Sequence, residues 1–284
     1  DGVFAAIGSD ADIRQLAGPQ TRIFDAQQRS VVPGLIESHV HATGAARGEA
    51  RQEFRQLHSI PEIQAWVRQR VQASPAGVWI QLPRVDVTRI RERRIPSRAD
   101  LDAAAPNNPA VFTWQYANKI VQVLNARALA VAGITKDTEA PRGGKIHLGP
   151  DGQPTGVMDN ASGLITKFTA GPAISDEQYH DSLVTLLRRY NEIGITSITE
   201  RGSNPEGYRS YQKLRDAGRL PVRATVTIRL ATDGSVEATE SAIKKIPFKT
   251  GDGDDWVRVG PLKISIDGGA LYGTAFMREP YGPS

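Results

Sequence analysis

Two histidines one residue apart, His39 and His41, stand at the end of the apolar run "VVPGLIESHVHATG" (residues 31–44), in a chain that has only five histidines. On a β-strand, residues two apart point to the same face. Two neutral imidazoles on one face of a strand end can share a metal ion, since each binds through one ring nitrogen. They do not complete a centre, because catalytic zinc usually takes three or more protein ligands. Simple polar termination of a strand is the competing reading.

Other residues of the right chemistry lie farther along. Lys263 sits within "LKISIDGG". An ammonium is costly in an apolar strand unless it is paired or neutral. A neutral amine can take up carbon dioxide and become an anionic carbamate, a bridging ligand for two metal ions. The plainer alternative is a lysine paired with Asp267 or Glu200. Asp267 precedes Gly268-Gly269, which permits close approach of a ligand or a tight turn. Glu200 and Arg201 end "ITSITERG", as site residues or as a structural ion pair. The remaining histidines read as weaker candidates. His180 is assigned to the polar face of a helix, His147 to a hairpin-like insert and His58 to a loop.

The elements that must position these residues alternate helix and strand from about residue 31. "PEIQAWVRQRVQA" (61–73) has helical apolar spacing. Ser97 and Ser175 are placed to cap helices, and Gly133, Gly194 and Gly218 to close them. "AVFTW", "ITSITE", "VRATVTIRL" and "WVRVGPLKISIDGGAL" read as strands, with a turn at Asp151-Gly152. Such alternation predicts a parallel α/β sheet, open or closed. In either form ligands bind at the C-terminal strand ends, where His39, His41, Glu200 and Asp267 fall. No G-x-G-x-x-G or P-loop pattern is present. Residues 2–8 and 21–34 read as short strands of a small β-structure.

With 39% hydrophobic and 23% charged residues the chain has a globular composition. The net charge is +4, and the basic run 84–98 is interleaved with acids, so no nucleic-acid surface is expected. No transmembrane segment or signal peptide is expected. There are no cysteines, which excludes disulfides and thiolate metal sites. A cytoplasmic location is expected, with export after loss of a leader as the alternative.

These segments together resemble the amidohydrolase superfamily, in its family 3 or YtcJ-like branch. "VVPGLIESHVHATG" is similar to that branch's "PGFIDSHVH". "VWIQLPRVD" (78–86), "IPSRADLDAAAPNNPAVF" (95–112), "LNARAL" (124–129), "PDGQPTGVMDN" (150–160), "GITSITERG" (194–202) and "LKISIDGGAL" (262–271) match further segments in order. The resemblance implies a (β/α)8 barrel, incomplete in this chain, over residues 33–284 with a hairpin insert near 139–160. Residues 1–32 would contribute to a small β-sandwich. It further implies hydrolysis of a C–N bond in a small amide-type substrate by water activated on one or two divalent ions, zinc being the ion expected. His39, His41 and a carboxylated Lys263 would be ligands. Glu200, Arg201, Asp267 and Tyr272 would face or support the substrate, and a homo-oligomer is compatible with this.

Two departures qualify the resemblance. The family's "D-G-H" histidine is replaced in "YANKIVQVLN", where Asn118, Lys119 and Ile120 stand. The late segments, with further ligand histidines and an aspartate that handles the proton, are missing. An eight-stranded barrel needs about 250 residues, so a fragment, inactive by itself, is expected. The rival expectation is a catalytically silent barrel used for binding or assembly.

Overall fold

A computed structural model of the chain describes residues 3–51, 55–116, 119–170, 173–230, 234–265 and 275–279. In chain order the elements are α1 (Asp10–Gln15), β1 (Leu35–Val40), α2 (Ala42–Arg51), α3 (Ile60–Gln72), β2 (Ile80–Gln81), α4 (Arg98–Ala104), β3 (Ala110–Tyr116), β4 (Lys119–Leu124) and α5 (Ala126–Ala132). They continue with β5 (Lys145–Leu148), β6 (Pro154–Asp159), α6 (Thr166–Thr169), α7 (Asp176–Glu192), β7 (Ile195–Ser203), α8 (Pro205–Asp216), β8 (Arg223–Ile228), α9 (Val236–Lys244) and β9 (Val257–Val259).

The strands form two sheets. One is parallel throughout, in the order β1-β7-β8-β9. The other runs β2-β3-β4-β6-β5, with only β2 and β3 parallel. The fold is therefore mixed α/β. The parallel sheet agrees with the helix–strand alternation, whereas the second sheet departs from it. β4 follows β3 as an antiparallel hairpin, and the 139–160 insert adds the β5–β6 hairpin to the same sheet.

Local chemistry accounts for the helices beside the parallel sheet. Ser175 accepts from the backbone N–H of Gln178, whose side chain accepts in return from the backbone N–H of Ser175. This reciprocal cap satisfies two donors at the start of α7. Leu183, Val184 and Leu187 on that helix pack with Ile198, Tyr208, Tyr211 and Val226 against the sheet. His180 is also buried. The assignment to a polar face is thus corrected, because 180, 183, 184 and 187 form one helical stripe. The second sheet has cores on both faces, one around Ile63, Leu101 and Phe112, the other around Leu124, Met158 and Ile165.

The amino-terminal segment departs from expectation. Before Leu35, α1 is the one regular element among the described residues, and the strands expected in 2–8 and 21–34 are not formed among them. Val3, Phe4, Ile7, Ile23, Phe24, Val31 and Val32 are exposed, and among the described residues no partner strand covers them. A two-layer β-structure needs pairing on both counts, and a strand without neighbours has no ladder to define it.

Candidate metal centre

β1 delivers both histidines to the C-terminal edge of the parallel sheet. The expected final strand is shorter than its sequence suggests: β9 ends at Val259, and Lys263 rejoins the sheet through a single parallel bridge to Arg229. Its N–H donates to the carbonyl of Ile228 and its carbonyl accepts from Leu230, both at 2.8 Å. Lys263 thereby stands at the same edge as Glu200, which pairs in register with Val40.

The rings of His39 and His41 approach edge to face, with centroids 5.4 Å apart. Their pKa values are both lowered, by desolvation first and the charge of Lys263 second. Arg201 acts the same way on His39 and Arg229 on His41, while Glu37 opposes at His39 and a backbone hydrogen bond with Arg201 opposes at His41. Both imidazoles are thus kept neutral, the state in which a ring nitrogen can bind a cation.

Glu200 lies beneath them and is only 1% exposed. Its Oε2 accepts from the Thr43 backbone N–H at 2.8 Å and from the Tyr211 hydroxyl at 3.0 Å. Burial raises its pKa against these donors. Its Oε1 is 3.9 Å from Nδ1 of His41. Since His41 shifts toward neutrality, this contact is polar packing rather than an ion pair. Glu200 and Arg201 do not pair with each other: the Arg201 Nε donates to the carbonyl of Ser38 at 3.0 Å, tying β7 to β1. Glu200, one of the two carboxylates considered as a partner for Lys263, is not paired with it among the described residues; Asp267, the other, and Tyr272 lie outside them.

The structure thus brings together His39, His41, Lys263, Glu200 and Arg201. Among the described residues no group of three or more His, Cys, Asp or Glu side chains converges on a metal position. The donor set fits a divalent ion in part, with two neutral imidazoles and an amine that becomes a ligand only as an anion. His147 belongs elsewhere, its Nε2 lying 3.0 Å from Asp159, which also binds Lys119. Sequence reasoning missed Arg229, Tyr211 and Thr227. Thr227 is buried, donates to the Glu200 carbonyl and accepts from the Gly202 N–H. No local spacing links these residues to the histidines; the register of β7 with β8 does so for Arg229 and Thr227, and the packing of α8 does so for Tyr211.

A parallel sheet bearing paired imidazoles at its C-terminal edge defines the class of α/β proteins that bind ligands at strand ends. A family model described as "Amidohydrolase family" matches residues 22–283, and the chain belongs to that family, in its family 3 branch. An N-substituted formamide deformylase of Arthrobacter pascens is 26% identical over 78% of this chain and 41% of its own length. A putative amidohydrolase, YtcJ, of Bacillus subtilis (strain 168) is 25% identical over 99% of this chain and 52% of its own. The chain spans about half the length of these relatives. A solved structure of an uncharacterized metal-dependent hydrolase from Pyrococcus horikoshii OT3 aligns over 88% of this chain and 46% of its own, with a TM-score of 0.48 and 17% identity. No helix among the described residues is long and apolar enough to cross a membrane.

Proposed function

We propose that the protein is a metal-dependent hydrolase that cleaves the C–N bond of a small amide-type substrate. The observation that carries this is the edge-to-face pairing of His39 and His41, 5.4 Å between centroids, at the mouth of the parallel sheet. Family membership supports it. His39, His41 and Lys263 would hold the ion, with zinc the expected metal. For Lys263 to serve, its neutral nitrogen adds to the carbon of carbon dioxide and gives up a proton to water, leaving a carbamate anion. When bound, the ion supplies Lewis acidity, polarising a carbonyl and lowering the pKa of water toward neutrality.

The chain's own residues prepare that edge. Desolvation and the cations around them lower both imidazole pKa values, which favours the neutral ring with one nitrogen free to bind. Glu200 fixes the first turn of α2 and, through it, the backbone that follows His41. Arg201 holds β1 against β7 one residue before His39. We further read the four parallel strands as part of a (β/α)8 barrel and residues 1–32 as part of a β-sandwich, each completed by chain beyond these elements; the proton acceptor would lie there too.

The test is metal removal and return. The full-length protein, stripped by chelation and reloaded with zinc, is assayed for amine release from a panel of N-substituted formamides and acetamides, both neutral and carboxylate-bearing. Release that depends on the metal supports the proposal. Absence of release with every divalent ion tried, or release indifferent to chelation, counts against it.

A further inference from the structure

We propose that Arg201 and Arg229, at the C-terminal ends of β7 and β8, form a receptor for a carboxylate on the substrate, so that the site acts on acylated amino acids rather than on neutral amides. The inference rests on the hydrolase reading for its reaction, but not for the binding it describes.

Several arginines that meet another part of the fold meet a carboxylate. Arg94 pairs with Asp100, Arg189 with Glu49, Arg215 with Asp254 and Arg219 with Asp181. Arg201 and Arg229 do not, among the described residues. Arg201 uses its Nε on the Ser38 carbonyl. That leaves its two Nη groups, the edge that grips a carboxylate through two parallel bonds, without a hydrogen bond among the described residues. Arg229 is exposed and makes one long bond, 3.3 Å, to the hydroxyl of Ser265, and among the described residues no carboxylate pairs with it.

The backbone sets the two side by side. Arg201 pairs in register with Thr227, two residues before Arg229, and the Arg229 N–H donates to Ser203 at 2.7 Å. Between them Gly202, at φ +86°, leaves a space: a Cβ there would lie 3.8 Å from Cβ of Arg229 and 3.5 Å from Cγ of Lys263. Both guanidinium charges reach the histidines, one acting on each. Among the described residues, the two carboxylates of this edge are committed. Glu37 accepts from the His39 backbone N–H, and Glu200 is buried under α2. Cations gathered beside a reactive edge favour an anionic ligand and speed its arrival. A planar guanidinium is also the side chain best matched to a carboxylate.

The test compares N-acetylglycine with its uncharged counterpart N-acetylglycinamide, by calorimetric titration of the full-length protein at constant ionic strength, both metal-free and zinc-loaded. The metal-free arm removes direct contact between carboxylate and ion. N-acetylglycine should bind about tenfold or more tightly than the amide, the worth of one hydrogen bond to a charged group. Arg229→Met should abolish that preference without changing binding of the amide, and Arg229→Lys should keep part of it. Equal binding of the two compounds, binding of neither, or an unchanged preference in Arg229→Met overturns the receptor. Metal-dependent turnover of neutral amides in that case leaves the hydrolase standing. A carboxylate preference without any turnover keeps the receptor and removes the hydrolase.

Discussion

The buried carboxylate of Glu200, on β7, accepts the Thr43 backbone N–H at 2.8 Å across 157 positions of sequence. A strand thereby caps a helix that starts right after His41. Removing the acceptor orphans the Thr43 N–H and the Tyr211 hydroxyl together. Each unsatisfied buried group costs about 1–3 kcal/mol, so Glu200→Ala should destabilise the protein by about 3 kcal/mol. Glu200→Gln, which retains an acceptor oxygen, should cost less. Urea unfolding of both variants checks this, and equal losses would remove the cap from the account.

Tyr211 is the other partner of that carboxylate. Desolvation, with the adjacent Glu200 adding to it, raises its pKa well above the ordinary tyrosine value. The folded state then resists losing the proton while the unfolded chain gives it up near pH 10. The stability involved is fully present below about pH 10 and is lost as pH climbs beyond it. Phenolate absorbance should therefore lag behind free tyrosine and rise abruptly at alkaline unfolding. Tyr211→Phe should remove part of this lag and cost about 1 kcal/mol at neutral pH.

At the acid end, Asp100 is the informative group. The Arg94 guanidinium and the Ser97 cap hold its pKa down to about 2. Its folded value is depressed, so its contribution is complete above the unfolded value near 3.9 and fades as pH falls toward 2. Asp100→Asn should flatten the acid limb of stability over that interval. Part of the group meets solvent, which screens the effect. A melting curve as steep in acid as the parent's would place the sensitivity elsewhere.

Gly202 offers a test of the backbone. Its φ of +86° is outside the range that side chains other than glycine readily adopt. A Cβ would make only ordinary contact with Cγ of Lys263, at 3.5 Å, so the backbone conformation alone carries the cost. Gly202→Ala should cost about 1–2 kcal/mol. Thermal unfolding measures it, and a neutral substitution would show that the edge relaxes freely.

How legible this site was depended on whether its determinants are local. Caps such as Ser97 with Asp100 and Ser175 with Gln178 lie three residues apart and can be read directly. The spacing of two brings His39 and His41 together, although β1 ends at Val40 and His41 follows it. By contrast, α2 is interrupted by Gly44 and Gly48 and shows no clean stripe, so sequence reasoning passed over it. β3 ends at Tyr116 and its antiparallel partner β4 begins at Lys119, and the sequence "YANK" joining them carries no glycine or proline signal. Arg229 and Tyr211 gain meaning only from long-range pairing of β7 with β8 and packing of α8. The amino-terminal segment failed for the complementary reason: its apolar residues suit strands, but strands need neighbours.

The central claim is that His39 and His41 hold a divalent ion, and metal content tests it most directly. The full-length protein, purified without chelator, should carry at least one equivalent of zinc or a comparable ion by elemental analysis. A His39→Asn, His41→Asn double variant of unchanged circular dichroism should carry essentially none. An undiminished metal content in that variant, or a parent protein that binds no divalent ion even when supplied with it, would contradict the account.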